Sequence, residues 1–444
     1  MDFEKAASLI GRLPSGVQYA DVRASDFSAC GIRARDGEVD ATEFSGISIG
    51  VRALASGSWG FASSTRESDL EKVFRRAISL ALASRGKEKL SKDKPVISGS
   101  RQGKQARPKV FDAAQLSRQC ISAGKEALGA GSQRYSSFLS IADSERLFAS
   151  SEGAFILTRQ AHSYVSVTGF AREGSRLEHG KESRARLSSH ADFSGLGEKA
   201  GKKAARMLHA IPCPKGRSIA VLDGELAGVL CHEAMGHACE ADAILAGNSI
   251  LSGKTGKKVA SGQVTIVDDA TCGDFGSFKF DDEGVRAQKK VLVENGVLRS
   301  FLHSRETAAE FKLGSTGNAR AGSSLEFPVV RMSNTYFGKG KFSHEDVFDV
   351  REGVYLKGMK GGSVDPLTGN FLFAAEEGFE IRGGELGAPL RDCSISGEIL
   401  KTLLDVEAVG KDFMRSPGFC GKAGQSVPVS DGGPHMRIKN LLLG

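Results

Sequence analysis

Two histidines five residues apart constrain this chain more than any other feature. His232 and His237 stand in Cys231-His232-Glu233-Ala234-Met235-Gly236-His237-Ala238-Cys239-Glu240-Ala241-Asp242, a stretch that reads as helix. Upstream, Ile219, Ala220, Val221 and Leu222 predict a strand. Asp223 is placed to cap the helix, and Glu225 adds negative charge where the helix dipole favours it. In a regular α-helix, residues five apart point about 140° away from each other, whereas four apart leaves only about 40°. The two imidazoles can share one metal ion only if a turn takes up an extra residue. A π-bulge does this, and such bulges concentrate at functional sites. Gly236, just before His237, tolerates the distortion. The spacing therefore predicts a strand–turn–helix unit whose bulged turn brings His232 and His237 together, with Glu233 beside them as a general base.

The bland alternative is a pair of satisfied core or surface histidines. Nine histidines in 444 residues, with about 7% glutamate, give about 0.01 chance occurrences of His-Glu-x-x-x-His, and about one in thirty once related spacings are admitted. A metal site also needs a third ligand, and the candidates are Cys239, Glu240, Asp242, His303, His344, Cys420 and His435. Cys239 and Glu240 lie too near His237 to close a coordination sphere, and Glu240 or Asp242 serves better as a partner orienting an imidazole. Cys420 stands out by its setting, Phe419-Cys420-Gly421, which predicts an irregular loop able to present sulfur to a metal. A core thiol or a rival ligand remains open.

The charge of the chain is local. The formal net charge is +7, and nine basic residues between Arg85 and Lys109, set against Glu88 and Asp93, supply that whole surplus. The segment has prolines and glycines but no aromatic residue, so it predicts a solvated, flexible connection rather than a nucleic-acid surface. No apolar run approaches the ~20 residues that cross a bilayer, and the start resembles neither a signal peptide nor an anchor. Eight scattered cysteines fit free thiols in a reducing cytoplasm. Gly253-Lys254-Thr255 looks like the end of a phosphate-binding loop, but Asn248 stands where its first glycine must fall.

The fold class expected is α+β: an N-terminal α/β region, 1–210, followed by a largely antiparallel β domain, 211–444, carrying one metal-binding helix. The first part would comprise two halves joined by the connector 85–109. A hairpin turns at Asp36-Gly37, and Ile47, Ile49 and Val51 alternate with Ser48, Gly50 and Arg52 as in a half-buried strand. Helices are expected from Leu70 to Ala81, from Asp112 towards Leu128 and near Leu196 to Leu208. Ile211-Pro212-Cys213-Pro214 forms a natural boundary. Beyond it, Asn295-Gly296 supplies a type I′ turn and Gly383-Gly384 another hairpin, Ser394 to Leu404 a short helix, and Asn440 to Leu443 a last strand.

Several stretches then converge on one resemblance. They are Tyr19-Ala20-Asp21-Val22-Arg23, Gly57-Ser58-Trp59-Gly60-Phe61-Ala62, the His232–Asp242 motif, Asp281-Asp282-Glu283-Gly284 and Ser315-Thr316-Gly317-Asn318-Ala319-Arg320. Arg331-Met332-Ser333-Asn334-Thr335, Asp365-Pro366-Leu367-Thr368-Gly369-Asn370 and Phe419-Cys420-Gly421-Lys422 with Gln425-Ser426-Val427-Pro428-Val429 complete the set. Over nearly its whole length the chain resembles the TldD branch of the TldD/PmbA (TldE) metallopeptidase family. That resemblance implies a zinc ion on His232, His237 and Cys420, Glu233 in the general-base position, and cleavage of short or unfolded peptides. It also implies a dimer, with itself or with a TldE/PmbA-like paralogue, enclosing the site. The partner branch lacks the metal motif, which is intact here. His435, Asn318 and Arg320 are candidates for stabilising an oxyanion. The rival reading is a non-catalytic binding or assembly subunit with a structural metal, which would need a fourth protein ligand such as His435 or Glu240.

Overall fold

The computed structural model describes residues 2–11, 13–94, 96–98 and 110–444. Its N-terminal half is built on long hairpins. Strands β1 (Val17–Arg35) and β2 (Glu38–Ala55) meet at Asp36 and Gly37, whose φ angles of 49° and 97° make the expected left-handed turn. β3 (Ser58–Ser64) extends that edge, and β5 (Arg134–Ser150), β6 (Phe155–Glu173) and β7 (Arg176–Arg186) extend the other. The short β4 (Ile97–Ser98) runs parallel to the start of β6, and all the other pairings in this seven-stranded sheet are antiparallel.

Three helices cover the sheet where the periodicity places them. Leu70–Leu82 buries Leu70, Val73, Ala77, Ile78 and Ala81 against Val22, Ile49 and Val51. Ala113–Gly129 is capped by the Asp112 side chain, which accepts from Gln115 N, and packs with Leu196–Leu208 over Ile32, Leu139 and Val167. An apolar stripe at helical spacing accounts for both, and the first also has its side-chain cap.

Two expectations change here. The half-buried strand is buried on both faces from Ser48 to Ala55, because a C-terminal loop covers its polar side. A Cβ at Gly50 would lie 1.9 Å from Ser324 O, and Arg52 is enclosed with Asp21 and Glu283. Alternation misleads because a charged residue can face the interior when its partners are supplied from another part of the chain. The connector is also fixed where it is described. Glu88 N donates to Gly57 O, Ser91 N to Arg305 O, and Val96 packs with Phe148. The rest of the connector, Pro95 and residues 99–109, lies outside the described residues.

After the helix ending at Leu208, Ile211–Pro212 pairs with Leu390 and Arg391, so the chain has entered a second body of sheet. Strand Glu352–Val364 pairs with both Gly216–Leu222 and Asn370–Arg382. The path through Met436–Leu443 and Ser394–Glu398 therefore closes on itself. A six-stranded sheet lies beside it, running Val297–Leu298, Lys289–Glu294, Ile266–Asp269, Asn334–Phe337, Gln425–Gly433 and Met414–Lys422. The Asn295-Gly296 and Gly383-Gly384 turns are both left-handed, as expected. The segment from Ser394 divides into strand Ser394–Glu398 and helix Ile399–Leu404. The His-bearing helix is not alone in this half, since Arg305–Phe311, His344–Phe348 and Ala241–Leu245 are helical too. Leu222, Leu226, Leu230, Met235, Leu292, Phe373, Val427 and Ile438 share one apolar cluster, so the helix is gripped between the two bodies of sheet.

Candidate metal centre

The local order Gly216–Leu222 strand, then helix, follows from Asp223. Its carboxylate accepts from Leu226 N at 2.8 Å, satisfying a donor of the first turn, and also from Gly358 N at 3.2 Å on the neighbouring strand. The α-helix Gly224–Val229 then passes into a π-helix, Leu230–Gly236. The His237 amide donates to His232 O, an i to i+5 bond between the two histidines themselves. The extra residue per turn returns both rings to one side, their centroids 5.3 Å apart and their planes at 90°. The bulge is there, but Gly236 serves it differently from expectation. Its φ and ψ, −59° and −57°, are ordinary helical angles. A Cβ here would lie 1.9 Å from Met332 Sδ, so any larger residue must displace that side chain.

Cys420 comes from the opposite side. It lies on the regular strand Met414–Lys422, paired with Val427 across a hairpin, and not on an irregular loop. The turn is carried by Ala423 and Gly424, both at positive φ, so Gly421 is simply a strand residue. Cys420 Sγ stands 3.6 Å from His237 Nε2, and one donor atom from each of His232, His237 and Cys420 lies within 4.8 Å of the others. An ion held by bonds of about 2.0–2.3 Å requires donors roughly 3.5 Å apart, so only a small contraction is needed. His232 Nδ1 is buried without a hydrogen-bond partner. Two imidazoles and a thiol suit zinc better than they suit hard, oxygen-preferring cations.

The electrostatics of the bare cluster agree with a site for a cation. Burial alone would raise the Cys420 thiol, but hydrogen bonds and charge from His232 and His237 outweigh it and bring it down to about 5. Burial would lower His237, yet Cys420 and Glu240 lift it to about 10. Bringing a metal here therefore releases protons from the imidazoles. Glu240 Oε2 is 3.2 Å from His237 Nδ1, which orients Nε2 towards the cluster. Asp242 touches neither histidine and instead binds Lys422. Glu233 is more open, its side chain 37% exposed, with Oε2 3.9 Å from His237 Nε2.

The remaining candidates are engaged elsewhere. His303 Nδ1 is 3.3 Å from Thr307 Oγ1, and burial pushes its pKa down to about 4. His344 stacks on Phe348. His435 bonds Tyr355 through Nε2 at 2.8 Å and Asp412 through Nδ1 at 2.6 Å. Asn318 spends its amide hydrogens on Asp268 and Arg331 O, and Arg320 donates two of its five N–H groups, to Met332 O and Pro428 O. Sequence reading missed Asp431, whose buried Oδ1 has no partner and whose pKa burial pushes up to about 7 beside His232 and Glu233. It also gave no role to Lys422, although this lysine stands two positions along the strand from Cys420, a spacing that puts both side chains on one face.

Three family models match along the chain: PmbA/TldA metallopeptidase domain 1 over residues 20–81, the central domain over 108–208 and the C-terminal domain over 215–444. The chain belongs to the PmbA/TldD metallopeptidase family. Among its relatives, a metalloprotease of Methanothermobacter thermautotrophicus is 41% identical, across 100% of this chain and 99% of that protein. A zinc metalloprotease TldD homolog of Saccharolobus solfataricus is 34% identical over 67% of this chain and 68% of its own. The solved structure of TldE from Thermococcus kodakarensis shares the PmbA/TldD fold with a TM-score of 0.80 at 19% identity, covering 100% of both chains.

Proposed function

We propose that this PmbA/TldD-family chain is a zinc-dependent peptidase in which His232, His237 and Cys420 hold the ion and Glu233 is the general base. The observation that carries this reading is the meeting of three donors from two distant segments, 183 residues apart in the case of Cys420 and His237. Only three such donors gather among the described residues, which leaves a position open and favours a catalytic over a structural metal. When bound, zinc would polarise the scissile carbonyl and make a water acidic near neutral pH. Glu233, partly exposed beside His237, takes a proton from the attacking water and returns it to the leaving amine. His232 and His237 are held on the π-turn, and Glu240 fixes the tautomer of His237.

Short or unfolded peptides in an extended form are the proposed substrates, with the chain working as a dimer with itself or with a TldE-like paralogue. Among the described residues no helix is long and apolar enough to cross a membrane, and all eight cysteines are free, which fits work in the cytoplasm. Glu233→Gln should retain one zinc per chain while losing cleavage of an unstructured peptide, assayed alone and with a TldE-like paralogue. Wild-type turnover by that variant would overturn the role of Glu233.

A further inference from the structure

We propose that Lys422 is a positioning residue that sets the distance between the two halves of the metal centre. This rests on the reading of His232, His237 and Cys420 as the metal ligands. The Lys422 ammonium has three N–H donors, and three groups take them. Nζ lies 2.9 Å from Glu240 Oε2, 2.8 Å from each oxygen of Asp242 and 2.9 Å from Val330 O. Glu240 Oε2 is the same oxygen that meets His237 Nδ1 at 3.2 Å, and His237 Nε2 in turn faces Cys420 Sγ. The contacts therefore close a ring: Cys420, along the strand to Lys422, across to Glu240, on to His237 and back to sulfur.

The floor beneath that ring is one extended segment. Val330 O receives Lys422, the Arg331 guanidinium donates to Cys420 O, and Met332 Sδ presses against Gly236 on the π-turn. Lys422 is the member that ties this floor and the Cys420 strand to the carboxylate orienting His237. A lysine acting only through its charge would oppose a cation at this distance, so its removal would tighten zinc binding, whereas removal of a strut that holds the ligands in place would loosen it. Groups that hold a metal ligand from behind commonly change affinity by about 10- to 100-fold when removed.

The test compares wild type, Lys422→Met, Lys422→Arg and Cys420→Ala in the full chain. Zinc affinity is read by chelator competition, and cobalt-substituted protein by its thiolate-to-metal absorption. Lys422→Met should bind zinc about 10- to 100-fold more weakly and show an altered, weaker thiolate–cobalt band. Lys422→Arg should recover most of both, with the far-UV circular dichroism unchanged throughout. Wild-type affinity and spectrum in Lys422→Met, while Cys420→Ala loses the band, would overturn the role of Lys422. Retention of both by Cys420→Ala would instead overturn the metal centre itself. If Lys422→Met does not fold, Asp242→Asn reads the same strut: about tenfold weaker zinc binding supports it, and an unchanged affinity overturns it.

Discussion

Two of the places where the molecule buries charge are treated differently. At the junction between the N-terminal sheet and the C-terminal half, Arg52 is 1% exposed. Its Nε and Nη2 meet Asp21 Oδ2 at 2.9 and 2.6 Å, its Nη1 meets Glu283 Oε1 at 3.1 Å, and its plane lies over Trp59 and Phe327. Only Asp21 Oδ1 in that set lacks a partner among the described residues. Around the metal centre, His232 Nδ1, Glu240 Oε1, Asp431 Oδ1 and two nitrogens of Arg331 are all buried without one. Unpaired buried polar atoms cost stability. The Arg52 guanidinium has each of its nitrogens engaged by a carboxylate, whereas the centre leaves atoms of four residues unpaired beside the three clustered donors.

The largest expected effect lies at the junction. Arg52→Ala would leave Asp21 and Glu283 buried without their cation, a loss of about 3–5 kcal/mol by the usual cost of breaking a buried pair. Denaturant unfolding reads that loss, and zinc affinity of the folded variant should stay at the wild-type value. A parallel fall in zinc affinity would show that the two regions act as one unit. The converse perturbation is Gly236→Ala. Its new methyl group must displace Met332 Sδ, an overpacking cost of about 1–3 kcal/mol, but its larger consequence should be weaker zinc binding through the π-turn. Adding Met332→Ala to the same chain opens the space and should restore most of the affinity. Failure of that rescue would mean that Gly236 is needed for the backbone and not for the contact.

Much of both regions is legible in the order of amino acids alone. The left-handed turns at Asp36-Gly37, Asn295-Gly296 and Gly383-Gly384 are dictated by local chemistry, and so are the caps at Asp112 and Asp223. Five-residue spacing requires a distorted turn to be useful, and the π-helix is that distortion. What is not legible depends on partners remote in sequence. Nothing near Arg52 announces Glu283, and nothing near Gly236 announces Met332. Cys420 is recognisable as a candidate, but its glycine neighbours suggest a loop because a hairpin strand shows itself only through its partner, Gln425–Gly433. The partners of the oxyanion candidates are hidden for the same reason. Asn318 and Arg320 are polar residues in a promising motif, and the groups that occupy them, such as Asp268 and Pro428 O, are brought in by the fold.

The smallest effect is a pH dependence at the junction. Glu306 follows Arg305, whose amide donates to Glu283 Oε2 at 2.7 Å, and its own Oε2 accepts from Trp59 Nε1 at 2.7 Å. Burial raises its pKa to about 7; the Trp59 bond works against this, and the neighbouring Glu88 adds to it. An unfolded glutamate titrates near about 4.3, so between roughly pH 4 and 7 the folded chain holds a proton that the unfolded chain has lost. That stabilising contribution is full below the unfolded pKa and disappears as pH rises through about 7. Glu306→Gln keeps an acceptor for Trp59 and cannot lose the proton. Relative to it, the wild type should lose about 1–2 kcal/mol between pH 4 and 8, the full shift being discounted for the partial exposure of the carboxyl. Urea midpoints of the two metal-free proteins across that range measure the difference. Parallel curves would remove Glu306 as the source of a pH response at the junction.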